Sequence, residues 1–464
     1  MSENSMSLKV VSKANIAVNR FGYGARGNEL AQAELDPQKW ITSQLLSVPL
    51  NESLPHSDEV MIGHAKYLKQ KRKNKKLQKK NQNKLKKATS EPANKMLQYK
   101  ARNTLINLSN DSLMQTISSS HSVSWRLLDF FSNHFSVSTS GRLMVGLAAT
   151  LEREAIAPNL LGNFSDMLLA VEQHPAMLIY LNNEKSFGPN SRLAKKRKVG
   201  LNENLAREIL ELHTLGVDGG YHQEDVIELA KGITGWSVKS PKRDNGTGFI
   251  FRAYGHEPGA RKLLGKKYSD DGIAQGKEML GDLAMQPATI NHVCTKIAQY
   301  FVCQNPPKSL INKMEVTWLK TQGNIKQVML SLFNSDEAWL PSAQKFKTPR
   351  EFLISTYRAI APHKINSREL FNALTSLGQK PFSAGSPAGF SNDEKDWLSE
   401  SALMARVDWS TMFASYHKRA NSEKIMKKSL GSSVSQHTYQ LVMRAETRQQ
   451  ATTLFLMSPE FQRR

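Results

Sequence analysis

The sequence predicts a mainly α fold: a multi-helix globular array carrying one small β-hairpin near 236–254. Three observations carry this expectation. Apolar residues recur at three- and four-residue spacing in most segments from residue 124 to the end. Strand and helix patterns do not alternate, which excludes the doubly wound and barrel α/β classes. One short stretch, WSVKSPKRDNGTGFIFRAY (236–254), reads as two β-prone runs around a Pro/Gly/Asn turn.

Taken in order, the first 22 residues, MSENSMSLKVVSKANIAVNRFG, lack the basic-then-apolar pattern of a secretory leader. The expectation is a cytoplasmic protein, or one whose leader is missing from this chain. The segment 66–102 is strongly basic, with 15 Lys or Arg against one acid, Glu91. Leu68, Leu77 and Leu85 are too sparse for a coiled-coil seam, so it reads as a solvated helix or arm. With RLAKKRK at 192–198 it accounts for most of the net charge of +22, and the rest of the chain is near neutral. The basic segment lacks the interleaved aromatics of single-strand binders. Nucleic-acid binding would therefore be non-specific attraction, and an acidic polymer or protein is the alternative partner.

The stretches 124–137 and 141–157 are amphipathic helices, the second ended by Pro158. The stretch 163–183 is helical on both sides of a break at Pro175. ENLAREILELHTLG is a helix closed by Gly216, and QEDVIELAKGITGW is another, its acids Glu224 and Asp225 suited to a helix start. Helices resume after the hairpin. No run approaches the ~18 apolar residues that cross a bilayer. Cys294 and Cys303 have no metal-ligand spacing and read as two reduced, partly buried thiols. P-loop, dinucleotide and G-x-S-x-G signatures are absent.

Turning each helix by ~100° per residue sorts its side chains. Glu203, Arg207 and Glu211 form an outward i, i+4 ladder, and Glu228 also faces out. His134, Glu152 and His213 instead lie within apolar arcs. Buried polar groups need partners, and the economical arrangement is that these three meet. Two imidazoles and a carboxylate would form a site for a divalent metal ion, with Glu208 as a fourth ligand or orienting group. The same set without metal would be an acid/base centre. A structural role, holding three helices in register, accounts for the same pattern. The loop SFGPNSRLAKKRKVGLNEN offers Arg192, Lys195, Lys196, Arg197 and Asn202 beside a helix start, which suits an anionic substrate. Arg207 is a further candidate for an anion, though its glutamates account for it, and His256, at the Gly/Pro turn that leaves the hairpin, either projects into a cleft mouth or is an ordinary surface residue of the turn. An enzyme centred on His134, Glu152 and His213 is one functional expectation; a non-catalytic scaffold using the basic arm is the other.

The stretches NRFGYGA (19–25), FFSNHFSVS (130–138), LEREAIAP (151–158), PAMLIYLNN (175–183), GLNENLAREILELHTLGVDGGYHQEDVIELAKGITGW (200–236), HEPGARKLLG (256–265), QPATINHVCTKIAQYFV (286–302) and SPEFQRR (458–464) together resemble a bacterial family catalogued as domain of unknown function 1800. The resemblance runs the length of the chain. It implies one unit over 1–464, with a helical core at 121–365 holding the candidate site and a C-terminal helical part at 366–464. It also implies a periplasmic or secreted alternative location. A further implied partner is a protein with an alkaline-phosphatase-like fold, encoded beside relatives. This chain departs from the family in having Asn182 in place of an acid and His222 in place of a Thr N-cap. The family name brings no established activity.

Overall fold

The computed structural model describes residues 11–80, 90–197, 200–241, 243–342 and 344–464. It is mainly α, as the periodicity predicts, with the hairpin Trp236–Val238 paired to Phe249–Phe251 in antiparallel register, Trp236 facing Phe251. A second antiparallel hairpin, Arg261–Leu263 with Lys266–Tyr268, was not anticipated. Its two-residue turn, Leu264–Gly265, has positive φ at both positions (47° and 83°), the mirror-image turn that matches strand twist. Among the described residues no helix is long and apolar enough to cross a membrane. Cys294 is buried and Cys303 half-buried, both as free thiols.

One hydrophobic core runs from Ala14 to Phe461, so early and late segments of the chain pack on each other. The helix Ser122–His134 lies at its centre: every residue from Ser122 to Phe131 is buried, polar ones included. Buried Arg358 ties three elements together. Its guanidinium donates to the carbonyls of Thr116, Ile117 and Ser119, where the helix Ser90–Ser118 ends, and pairs with Glu29 at 2.6 Å. A cation on the exposed carbonyls of a helix C-terminus satisfies them and complements the helix dipole. The helix Pro349–Ile360 that carries it starts with Thr348 capped on Glu351 N–H, Pro349 in the first turn, and Glu351 accepting from Thr348 N–H. T-P-R-E is a capping box written in the sequence. The chain end pairs with Lys345, whose N–H and carbonyl exchange bonds of 3.1 and 3.0 Å with Arg464.

Two expected continuous helices are broken. The stretch 141–157 is an α-helix only over Gly141–Leu147, then a π-helical turn Glu152–Ile156, then a 3-10 turn at Pro158. Thr150 turns its hydroxyl back onto the Leu147 carbonyl at 2.7 Å, interrupting the ladder there. The stretch after Asn204 is α to Glu208 and π over Ile209–His213. The Thr214 hydroxyl takes the Ile209 carbonyl at 2.6 Å, and Gly216, at φ 85°, turns the chain away. The helix Ser57–Lys80 bears the first part of the basic segment, with Lys69, Lys71, Arg72, Lys73, Lys75 and Lys76 exposed; residues 81–89 lie outside the described residues.

Candidate functional site

His134 is the last residue of the central helix, and His213 the last of the π turn Ile209–His213. Both are buried, and they meet: the ring centroids are 6.2 Å apart. His134 Nε2–H donates to the His213 carbonyl at 3.1 Å, which leaves Nδ1 as a bare lone pair. His213 Nδ1–H donates to Glu172 at 2.7 Å, with both side chains at most 1% exposed, and its Nε2 has no partner among the described residues. A third ring, His292, lies 6.4 Å from His134, and its Nε2 is also unpartnered. Burial, with nearby Lys296 second, holds His134 well below the usual imidazole range and His292 at about 4. Both are neutral near pH 7. A carboxylate on one nitrogen of an imidazole fixes the tautomer and aims the other lone pair, the arrangement a general base needs.

Glu152 does not join this group. It opens the π turn Glu152–Ile156 and accepts a 2.9 Å hydrogen bond from Ser132, on the opposite side of the central helix from the imidazoles. There it lines a cavity of about 100 Å³ with Asp129, Tyr23, Tyr300 and Arg350. Asp129 is gripped by Arg350 through bonds of 2.7 and 2.6 Å and by the Tyr23 hydroxyl. Burial nonetheless raises its carboxyl to about 6, against the opposing pull of Arg350. Glu351, in the same wall, is bound by Arg126 and Arg464 and held down at about 2 by those cations despite its burial. Glu152, though buried, has no cationic partner among the described residues. The hydroxyls of Ser109 and Ser112, which face the same cavity, are buried without partners.

A second cavity, about 320 Å³, adjoins it and is lined by His134 and Lys296. The two share Asn133, Phe390, Ser391 and Asn392. Asn133 holds the partition in place. Its side chain donates to the Phe390 carbonyl at 2.8 Å and accepts from the Phe390 N–H at 2.7 Å. Gly389, at φ 82°, passes so close that a Cβ would sit 2.5 Å from the Asn133 carbonyl.

The other candidates are dispersed. Glu208 is half-buried, with its carboxyl raised first by burial and opposed by the nearby His213. Among the described residues no three His, Cys, Asp or Glu side chains are grouped to hold a metal ion. The donor set of His134, Glu152, His213 and Glu208 therefore does not fit one ion. Arg192, Lys195, Lys196 and Arg197 are exposed on their loop, and Lys198 lies outside the described residues. Asn202 uses its side chain to accept from Asn204 N–H at 3.0 Å. Arg207 sits in its expected ladder, 3.5 Å from both Glu203 and Glu211. His256 is buried rather than projecting from a turn; its Nδ1 lies 3.0 Å from the Thr234 carbonyl. None of these eight described residues lines either cavity.

The residues that sequence reasoning missed are Asp129, Glu172, His292, Lys296 and Arg350. Glu172 had a signal: Phe164, Leu168 and Glu172 form an i, i+4 stripe whose first two members are buried. His292 and Lys296 have the same spacing on the helix Pro287–Phe301, in line with buried Tyr300.

No curated protein and no solved structure matches the chain. A family model described as protein of unknown function DUF1800 matches residues 16–463. The full-length match, which the ordered motifs anticipated, decides the one point of identity available: the chain belongs to the DUF1800 family.

Proposed function

We propose that the protein is an enzyme that works by general acid–base catalysis in the cavity between the central helix, the π turn Glu152–Ile156 and the helix Pro349–Ile360. The observation that carries this is Glu152, a buried carboxylate with one serine bond and no ion pair among the described residues, facing a polar cavity whose Arg350 acts on it only at a distance. Such a group is costly to bury unless it serves a ligand. Beside it stands Asp129, whose carboxyl burial raises to about 6, within the range where a carboxylic acid can pass a proton near neutral pH. Of the His134, His213 and Glu172 group only His134 lines the second cavity, its ring fixed by the His213 carbonyl, with His213 and Glu172 packed behind it.

The test is turnover of p-nitrophenyl esters, phosphates and glycosides by the wild-type protein and by Glu152→Gln. We expect one class to be hydrolysed, with the rate falling ~10²-fold or more in the variant at an unchanged melting temperature. Wild-type rates in the variant would remove Glu152 from the reaction, and no turnover in any class would remove hydrolysis.

A second reading is favoured by the row of exposed cations on the helix Ser57–Lys80. It would bind an acidic polymer, or an acidic face of the alkaline-phosphatase-like partner, without catalysis. Changing Lys69, Lys71, Arg72, Lys73, Lys75 and Lys76 to Gln should then weaken binding to polyglutamate at least tenfold at low salt and flatten its salt dependence. Equal binding by both forms would dismiss it.

A further inference from the structure

The geometry points to Lys296 as the seat of an anionic group, a carboxylate or phosphate, on a small ligand that enters the cavity beside His134. Lys296 lies on the helix Pro287–Phe301, and its ammonium makes no hydrogen bond or ion pair with any described residue. It nevertheless lines a 320 Å³ cavity, so the charge is presented to a space large enough for a ligand. The titratable neighbours, His134 and His292, are both held neutral and carry no negative charge to offset it. Burial alone acts on the Lys296 amine, bringing it to about 8, and no carboxylate pulls it back up. It remains mostly charged near neutral pH. A partly buried cation without a counter-charge is unfavourable by itself and becomes favourable when an anion arrives.

Glu152 lies beyond the wall of Asn133, Phe390 and Asn392, on the opposite side of the central helix. Anion binding at Lys296 therefore does not rest on the reading of the Glu152 cavity as a reaction centre.

The experiment is the thermal shift of the full chain with inorganic phosphate and with acetate, each matched in ionic strength by sodium chloride, for wild type, Lys296→Met and Glu152→Gln. We expect at least one anion to raise the wild-type midpoint by about 2 °C or more at a concentration well above its Kd. That shift should persist in Glu152→Gln and vanish in Lys296→Met. Without anion, Lys296→Met should melt about 1–3 °C higher than wild type, because an unpaired charge has been replaced by an apolar chain of similar length. Lys296→Met that melts lower, or that keeps the full anion shift, overturns the assignment, as does a wild-type protein that neither anion stabilises. Loss of the shift in Lys296→Met alongside full activity in Glu152→Gln would keep the anion seat and discard the reaction centre.

Discussion

Glu351→Gln is expected to cost about 3–5 kcal/mol of stability. The carboxylate is 2% exposed and serves Arg126, Arg464 at 2.9 Å, and the N–H of Thr348 at 2.8 Å. Lys345 and Lys347 stand close by, also buried, and feel its charge. Removing one negative charge leaves Arg126 and Arg464 buried without it, while Lys345 and Lys347, already brought down to about 7 by burial, give up their protons more readily; desolvated like charges are far more damaging than a missing surface pair. The pH dependence follows with a definite sign. The folded carboxyl titrates at about 2 against an ordinary value of 4.5, so its contribution is complete above 4.5 and is lost as pH falls through 2. Urea unfolding at pH 7 and at pH 3 should show the wild type losing stability toward acid, while Glu351→Gln starts lower and lacks that component. A variant within about 1 kcal/mol of wild type at pH 7 would mean that the cluster is hydrated in solution.

Glu172→Ala should cost about 3 kcal/mol, and Glu172→Gln much less. The alanine leaves the His213 Nδ1–H, in a fully buried setting, without an acceptor and opens a void beside it. The glutamine keeps an oxygen in place for that N–H. The same pair of variants should separate the proton positions. The His213 ring, observed by nitrogen NMR, should remain protonated at Nδ1 in wild type and Glu172→Gln and exchange between tautomers in Glu172→Ala. Equal stability of the alanine and glutamine forms would show that side-chain volume, not the hydrogen bond, is what Glu172 contributes.

Helix existence was legible in the sequence wherever one face met water. Arg207 and its two glutamates, Glu228 with Lys231 at 2.6 Å, and the break at Pro175 all stand as the periodicity requires. The inward placement of His134 and His213 was legible for the same reason. What failed was the assumption that a polar face looks outward. The helix Ser122–His134 is buried on every side as far as Phe131, so Arg126 and Asp129 are buried along with Phe130. Arg153, which the wheel turns toward solvent, is covered and pairs with Asp111 at 2.9 Å. The candidate site divides along this line. The wheel identified each inward group separately, but it holds no information on which side of an enclosed helix a distant segment docks. Glu152 and the imidazoles therefore came to rest on opposite walls, and the carboxylate that meets His213 came from a different helix.

The π turns at Glu152–Ile156 and Ile209–His213 bear on how relatives of this chain are to be lined up. Each winds about one extra residue into a turn, so removing that residue restores an ordinary helix, leaves the segments on either side in nearly the same relative orientation, and redirects the side chains inside the turn itself. A homologue with a one-residue gap inside either pentapeptide would thus keep its flanking motifs in perfect match and still aim its glutamate or histidine elsewhere. Gap placement at these two pentapeptides, more than percentage identity, would sort members that share this chemistry from those that share only the scaffold.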